Sequence, residues 1–77
     1  MNLSEASKNN WYFIEKLSSQ DEQFNTRLMS LGLIPGEKIL VKRFAPFFKD
    51  PILVQVDNIQ LAVSKGEAGF IEISNAG

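Results

Sequence analysis

The spacing of apolar residues changes from a helical to a strand period at Leu31-Gly32-Leu33-Ile34-Pro35-Gly36, and that change restricts the folds open to the chain. Before it, Phe24, Leu28 and Leu31 fall at i, i+4 and i+7, the spacing of one helix face. After it, Ile39 and Val41, then Ile52, Val54 and Val56, then Ile59, Leu61 and Val63, and finally Ile71 and Ile73 recur at every second residue. That is the period of a pleated strand with one buried face. Tyr12 to Leu17, rich in aromatic and branched side chains, adds a strand ahead of the helix.

The punctuation agrees with the periods. Ser19 and Glu22 stand at the spacing of a capping box, so the helix is expected to start there, with Asp21, Asn25 and Arg27 facing water. Gly32 can take the left-handed conformation that ends a helix and lets Leu33 fold back on Leu28, and Pro35-Gly36 suits a turn. Asp57-Asn58 suits the tight turn of a hairpin, and Ser64 with Glu67 repeats the capping-box spacing for one short helical turn. Asn75 to Gly77 reads as a frayed tail. A flat sheet of five short strands with one helix cannot cover both its faces, so the expected architecture is mostly β with one helix, curled into a small five-stranded barrel that protects its edges.

Composition narrows the functions. Seventy-seven residues make one expected domain, 1–77, and a domain of such size buries only about 60% of its unfolded surface, so the core must be nearly complete. Eight Lys and Arg against nine Asp and Glu leave a net charge of −1, far from the basic balance that nucleic acid requires. There is no Cys and no His, which leaves only carboxylates and carbonyls as metal ligands, so neither a transition-metal site nor any cofactor is expected. Seven serines without a histidine do not form the usual activated nucleophile, and no phosphate-binding glycine motif is present, so no catalytic residue is assigned. Met1 to Asn10 lacks the apolar stretch of a signal peptide, and no segment approaches the ~20 apolar residues of a span. A cytoplasmic protein without direct membrane insertion is expected.

What remains is surface. Phe44, Phe47 and Phe48 flank Pro46 in a segment between strands, where three rings cannot all enter one small core. Adjacent Phe47 and Phe48 would point to opposite sides of an extended backbone, and together with Lys49 they form either a docking patch or a self-packed loop. Arg27, Lys42, Arg43 and Lys49 are further candidates for a basic face, set against the simpler reading of solvated charges.

The run Arg27-Leu28-Met29-Ser30-Leu31-Gly32-Leu33-Ile34-Pro35-Gly36 resembles the pattern of the FeoA family, an arginine and a leucine pair followed by Leu-Gly, a hydrophobic residue, one variable residue and Pro-Gly. At matching spacing follow Ile39-x-Val41, Ala45-Pro46, Asp50-Pro51, Val54-x-Val56, Leu61-Ala62-Val63, Glu67-Ala68 and Ile71-x-Ile73. The resemblance implies an SH3-like barrel without enzymatic activity that assists the ferrous-iron transporter FeoB by binding its cytoplasmic part. Phe47, Phe48, Lys49 and Arg27 are the expected partner-binding residues. The chain departs from the pattern at Phe47-Phe48-Lys49, where a short Gly-containing loop is usual, at Asn58 in place of a glycine, and at Ser64 in place of an arginine. Two other readings are a small SH3-like or OB-like nucleic-acid binder and a free-standing relative of the SH3-like domain of iron-dependent repressors.

Overall fold

The computed structural model describes residues 1–76. Five antiparallel strands, β1 (Trp11–Leu17), β2 (Lys38–Phe44), β3 (Ile52–Val56), β4 (Ile59–Val63) and β5 (Ile71–Asn75), form one sheet in the order β4-β3-β2-β1-β5. The two long strands serve as corners. Trp11–Phe13 of β1 pair with Lys38–Leu40 of β2, and beyond them β1 continues along β5 while β2 continues along β3. The register slips between Ile14 and Lys16 and again between Val41 and Arg43. An extra residue in a strand bends it and increases its twist, which curls five strands around one core.

The alternation read from the sequence fills that core. Tyr12, Ile14, Ile39, Val41, Ile52, Val54, Val56, Val63, Ile71 and Ile73 are buried in one cluster with Leu28, Leu33 and Ala68. Ile59 departs from the expected set. It lies at the end of the sheet, next to the Asp57-Asn58 turn, where no neighbouring strand continues to cover it, and it is exposed.

Helix α1 (Glu22–Ser30) starts one position before its first residue, at Asp21 and not at Ser19 as the capping-box spacing predicts. The Asp21 carboxylate accepts from the amides of Gln23 and Phe24, whereas Ser19 Oγ accepts from Asp21 N–H and the Ser19 carbonyl accepts from Asn25 Nδ2 at 2.9 Å. A carboxylate at the helix start also complements the dipole, an advantage that a hydroxyl lacks. The Asn25 bond draws that residue inward, so Asn25 is only 8% exposed where the helical spacing predicts it near water.

At the other end, Gly32 adopts φ +100°, its N–H donates to the Met29 carbonyl, and the Leu33 N–H reaches back to the Leu28 carbonyl at 3.1 Å. This pair of bonds is the Schellman motif. It ends the helix before Leu31 can join its inner face, so Leu31 is 46% exposed and Leu33 takes the buried place expected of it. Pro35 and Gly36 occupy the centre of the next turn, closed by Glu37 N–H on the Ile34 carbonyl, with Gly36 at φ +95°. Gly36 N–H and Glu37 C=O then bond the backbone of Ile14 on β1, anchoring the turn to the sheet.

Gly32 and Gly66 provide a matched test. A methyl group added at either would meet no atom within 4 Å, yet only Gly32 has positive φ. Gly32→Ala is therefore expected to lose about 1–2 kcal/mol through backbone strain alone. Gly66→Ala, inside a helix with ordinary φ, should gain about 0.5–1 kcal/mol. Urea midpoints shifting in the same direction for both variants would contradict this assignment.

Two more helical pieces extend the expected single helix. The Ser64–Glu67 capping box opens α2 (Lys65–Ala68) as the spacing predicts, with both reciprocal bonds formed. At the N-terminus, a 3₁₀ turn over Leu3–Glu5 is capped in the same way by Asn2 and Glu5, and it buries Leu3 completely. Met1 C=O accepts from Ile73 N–H at 2.8 Å and Asn2 bridges Glu72, so these residues cover the outer edge of β5. The expected frayed tail is corrected at Asn75, which pairs with Tyr12, and at Ala76, whose N–H donates to the Trp11 carbonyl; Gly77 lies outside the described residues.

Candidate protein-docking surface

The loop between β2 and β3 is clamped at its base, where Ala45 N–H donates to the Pro51 carbonyl at 3.0 Å. Asp50 Oδ1 further accepts from the Lys65 amide at 3.0 Å, tying the loop to the start of α2. Between these fixed points the chain reverses over Phe47–Asp50, with Phe48 at φ 61° and Lys49 at φ 56°. Successive positive φ values belong to the mirror-image turns that glycine and asparagine normally occupy, and each costs a bulky L-residue about 1 kcal/mol or more.

This backbone settles where the rings go. Because it is not extended, Phe47 and Phe48 are not divided between an inner and an outer side; both project from the tip, 78% and 88% exposed. Phe44 instead packs half-buried against the core, and Lys49 Nζ lies 5.7 Å from its ring centroid. Of the two readings of this segment, self-packing applies to Phe44 only.

Arg27 does not join the loop in a hydrogen bond or ion pair. Its guanidinium donates to Glu67 Oε2 at 2.8 Å and lies 5.4 Å from the Phe24 ring centroid, and Phe24 meets Phe70 edge to face. Arg27 thus fastens α1 to α2, a contact between residues forty positions apart that local spacing does not reveal. The Glu67 carboxyl is held below its usual range, first by the Ser64 backbone N–H, against an opposing contribution from burial, and then by the Ser64 hydroxyl and Arg27. A depressed folded-state pKa contributes stability that is present above the unfolded value of 4.5 and is lost as pH falls through the lowered folded value. Wild type should therefore lose stability on acidification below that pH, and Glu67→Gln should be less stable at neutral pH but flatten this part of the profile. Parallel profiles from urea titrations would show that Glu67 is not the group involved.

The remaining basic candidates diverge at the β2 bulge. Lys42 is the extra residue, whereas Arg43 faces outward in register with Leu53, which in turn pairs with Ala62. These three residues form a row across β2, β3 and β4, and with Phe44, Pro46 and Pro51 they line a cleft of about 350 Å³ at the base of the loop. Leu53 and Ala62 were not candidates on sequence grounds. The signal was available, because a tight turn at Asp57-Asn58 fixes Val56 opposite Ile59 and hence Leu53 opposite Ala62 on the outer face.

Among the described residues no group of three or more His, Cys, Asp or Glu side chains could hold a metal ion. No helix among them is long and apolar enough to cross a membrane. Among the described residues the surface offers two projecting rings, a cleft and cations, groups that concentrate at protein contacts.

A family model described as the FeoA domain matches residues 1–75. Iron(II) transport protein A from Clostridium thermocellum is 31% identical, with a TM-score of 0.87 over 97% of this chain and 45% of that one. This chain thus spans less than half of that protein's length. The FeoA protein from Chlorobium tepidum is 32% identical, with a TM-score of 0.87 over all of this chain and 71% of that one. Stenotrophomonas maltophilia FeoA, solved in complex with zinc and described as an SH3 domain protein, is 26% identical, with a TM-score of 0.83 over 96% of this chain and 89% of that one. The expected SH3-like barrel is therefore the fold observed. No curated protein matches the chain.

Proposed function

The chain belongs to the FeoA domain family, and from that premise we propose that it is a non-enzymatic accessory of bacterial ferrous-iron uptake that docks on the cytoplasmic part of the FeoB transporter. The observation that carries this reading is the loop tip. Two adjacent phenylalanine rings stand almost wholly in water on a backbone strained at two consecutive residues. Exposed aromatic rings on a held loop are the kind of anchor that dominates protein interfaces, and local strain without a local packing gain points to a use elsewhere. Phe47, Phe48 and Lys49 are the docking residues in this proposal. Arg27 acts at one remove, by joining α1 to α2, whose first amide holds Asp50 at the loop base.

The test has two readouts. Immobilised wild-type protein should capture the purified cytoplasmic part of FeoB, and deleting its gene should lower Fe(II) uptake by cells that retain FeoB. Uptake that falls without any capture would move the role away from docking, and unchanged uptake would remove the transport reading.

A further inference from the structure

The two outer edges of the sheet are treated differently. Residues Met1 and Asn2 cover β5. Among the described residues β4 pairs with β3 alone, and its sequence, Ile59-Gln60-Leu61-Ala62-Val63, contains no charge and no proline and pairs without a bulge. Those are the usual means of preventing another chain from adding to an edge. The bare edge also borders the cleft, because Ala62 belongs to both.

We propose that β4 and this cleft receive an extended acidic segment of the docking partner as an added strand, with one apolar side chain beside Ala62 and carboxylates on Arg43, Lys49 and Lys65. The inference rests on the docking reading and specifies the chemistry of what is bound. Strand addition uses the free main-chain groups of an edge for affinity and alternate side chains for specificity. The row Arg43–Leu53–Ala62 extends across the outer face, so the next position in the row belongs to the incoming strand. The methyl group of Ala62 is small, and an apolar side chain set beside it can reach over to the half-buried Leu53.

Charge determines the sign of the segment. Arg43 lines the cleft, Lys49 follows the exposed rings, and the Lys65 amide bonds Asp50, the residue before Pro51 of the cleft wall. None of these three cations is in an ion pair among the described residues, where the ion pair found is Arg27–Glu67. The carboxylates of the loop and of α2 are both engaged, Asp50 by the Lys65 amide and Glu67 by Arg27 and Ser64. Arg27, Arg43, Lys49 and Lys65 outnumber Asp50 and Glu67 here, whereas the chain as a whole carries a net charge of −1.

The experiment measures fluorescence anisotropy of two labelled synthetic peptides at low and high salt, one in which every second residue runs Glu, Leu, Glu with Thr between them and the other with Lys in place of Glu, so that the Leu and the charges share one face of the strand. Wild type should bind the Glu peptide at least about tenfold more tightly, with a preference that shrinks as salt screens it. Ala62→Trp should weaken the Glu peptide by crowding the cleft without adding charge, Arg43→Glu should remove most of the preference, and prolines at two successive central positions of the Glu peptide should abolish binding by removing a main-chain donor on the side that faces β4. Equal binding of both peptides, or indifference to both substitutions, overturns the proposal. Since Arg43 is exposed, Arg43→Glu remains informative even if Ala62→Trp fails to fold. Capture of the FeoB cytoplasmic part by both variants at wild-type strength would reject the cleft and leave docking intact. A wild type that binds the Glu peptide but captures no FeoB would reject the docking reading and keep the cleft.

Discussion

Leu28→Ala is expected to remove about 2–5 kcal/mol of stability, the usual cost of truncating a fully packed leucine. Leu28 is 1% exposed and belongs to the central cluster, and its carbonyl receives the amides of both Leu31 and Leu33 at the helix end. The side chain therefore holds α1 over the barrel at the point where the Schellman motif turns the chain back. A domain of this size has about 5–15 kcal/mol in all, at most, so the loss is a large fraction of the total. A deficit of about 3 kcal/mol corresponds to a fall of roughly 12–24 °C in Tm for a domain of this size. Leu31→Ala is the comparison. The two leucines lie three positions apart on the same sequence pattern, yet Leu31 is exposed, and its truncation should cost no more than about 0.5 kcal/mol. Equal losses at both positions, measured by urea unfolding, would mean that the helix carries Leu31 inward and that its end is misplaced.

The second large effect is on binding. Phe47→Ala/Phe48→Ala should leave stability within about 1 kcal/mol of wild type, since neither ring belongs to the core. Its affinity for the FeoB cytoplasmic part should fall at least about 30-fold, the factor equivalent to about 2 kcal/mol that defines one interface hot spot. Phe48→Gly sharpens the comparison. Glycine accepts the positive φ without a Cβ penalty, so this variant should match or exceed wild-type stability, by up to about 1 kcal/mol, while losing capture. A protein that becomes firmer as it stops binding has its strained residue in place for the partner. If the double variant melts as early as Leu28→Ala, the rings are core; if it keeps its full affinity, docking lies on another surface.

The fold was legible wherever a backbone rule acts within a few residues. Gly32 ended the helix, Pro35-Gly36 turned the chain, Asp57-Asn58 closed a hairpin, and Ser64 with Glu67 capped a short helix, each in the place its spacing indicates. Reading failed where two local signals competed or where the decision was tertiary. Ser19 and Asp21 both precede the helix, and the carboxylate prevails. Leu31 continues the helical period, but the chain leaves the helix before that period can act. Asn2 and Glu5 carried the same capping signal as Ser64 and Glu67, yet they cap only three residues of 3₁₀ turn, too short for periodicity to mark Leu3 as core.

The candidate site divides along the same line. Composition indicated that three rings could not all be buried, and it could not say which, because that depends on a left-handed turn that Phe48 and Lys49 do not ordinarily favour. Arg27 was a candidate for a basic face through its charge, whereas its partner Glu67 becomes visible only once α1 and α2 are placed side by side.

The bond from Ala45 N–H to the Pro51 carbonyl has an evolutionary meaning. Strand pairing resumes immediately beyond it, at Phe44 and Ile52, so the sheet is closed off from whatever the intervening residues do. Changes in length or sequence between two fixed points cost little, because the entropy of closing a loop rises by only about 0.6 kcal/mol for each doubling of its length. Phe47-Phe48-Lys49, which departs from the short glycine-containing loop that the resemblance implies, is where such a change would fall. The barrel can be inherited intact while its tip is rewritten, and a lineage can track a changing partner surface with three residues and no repair to the core.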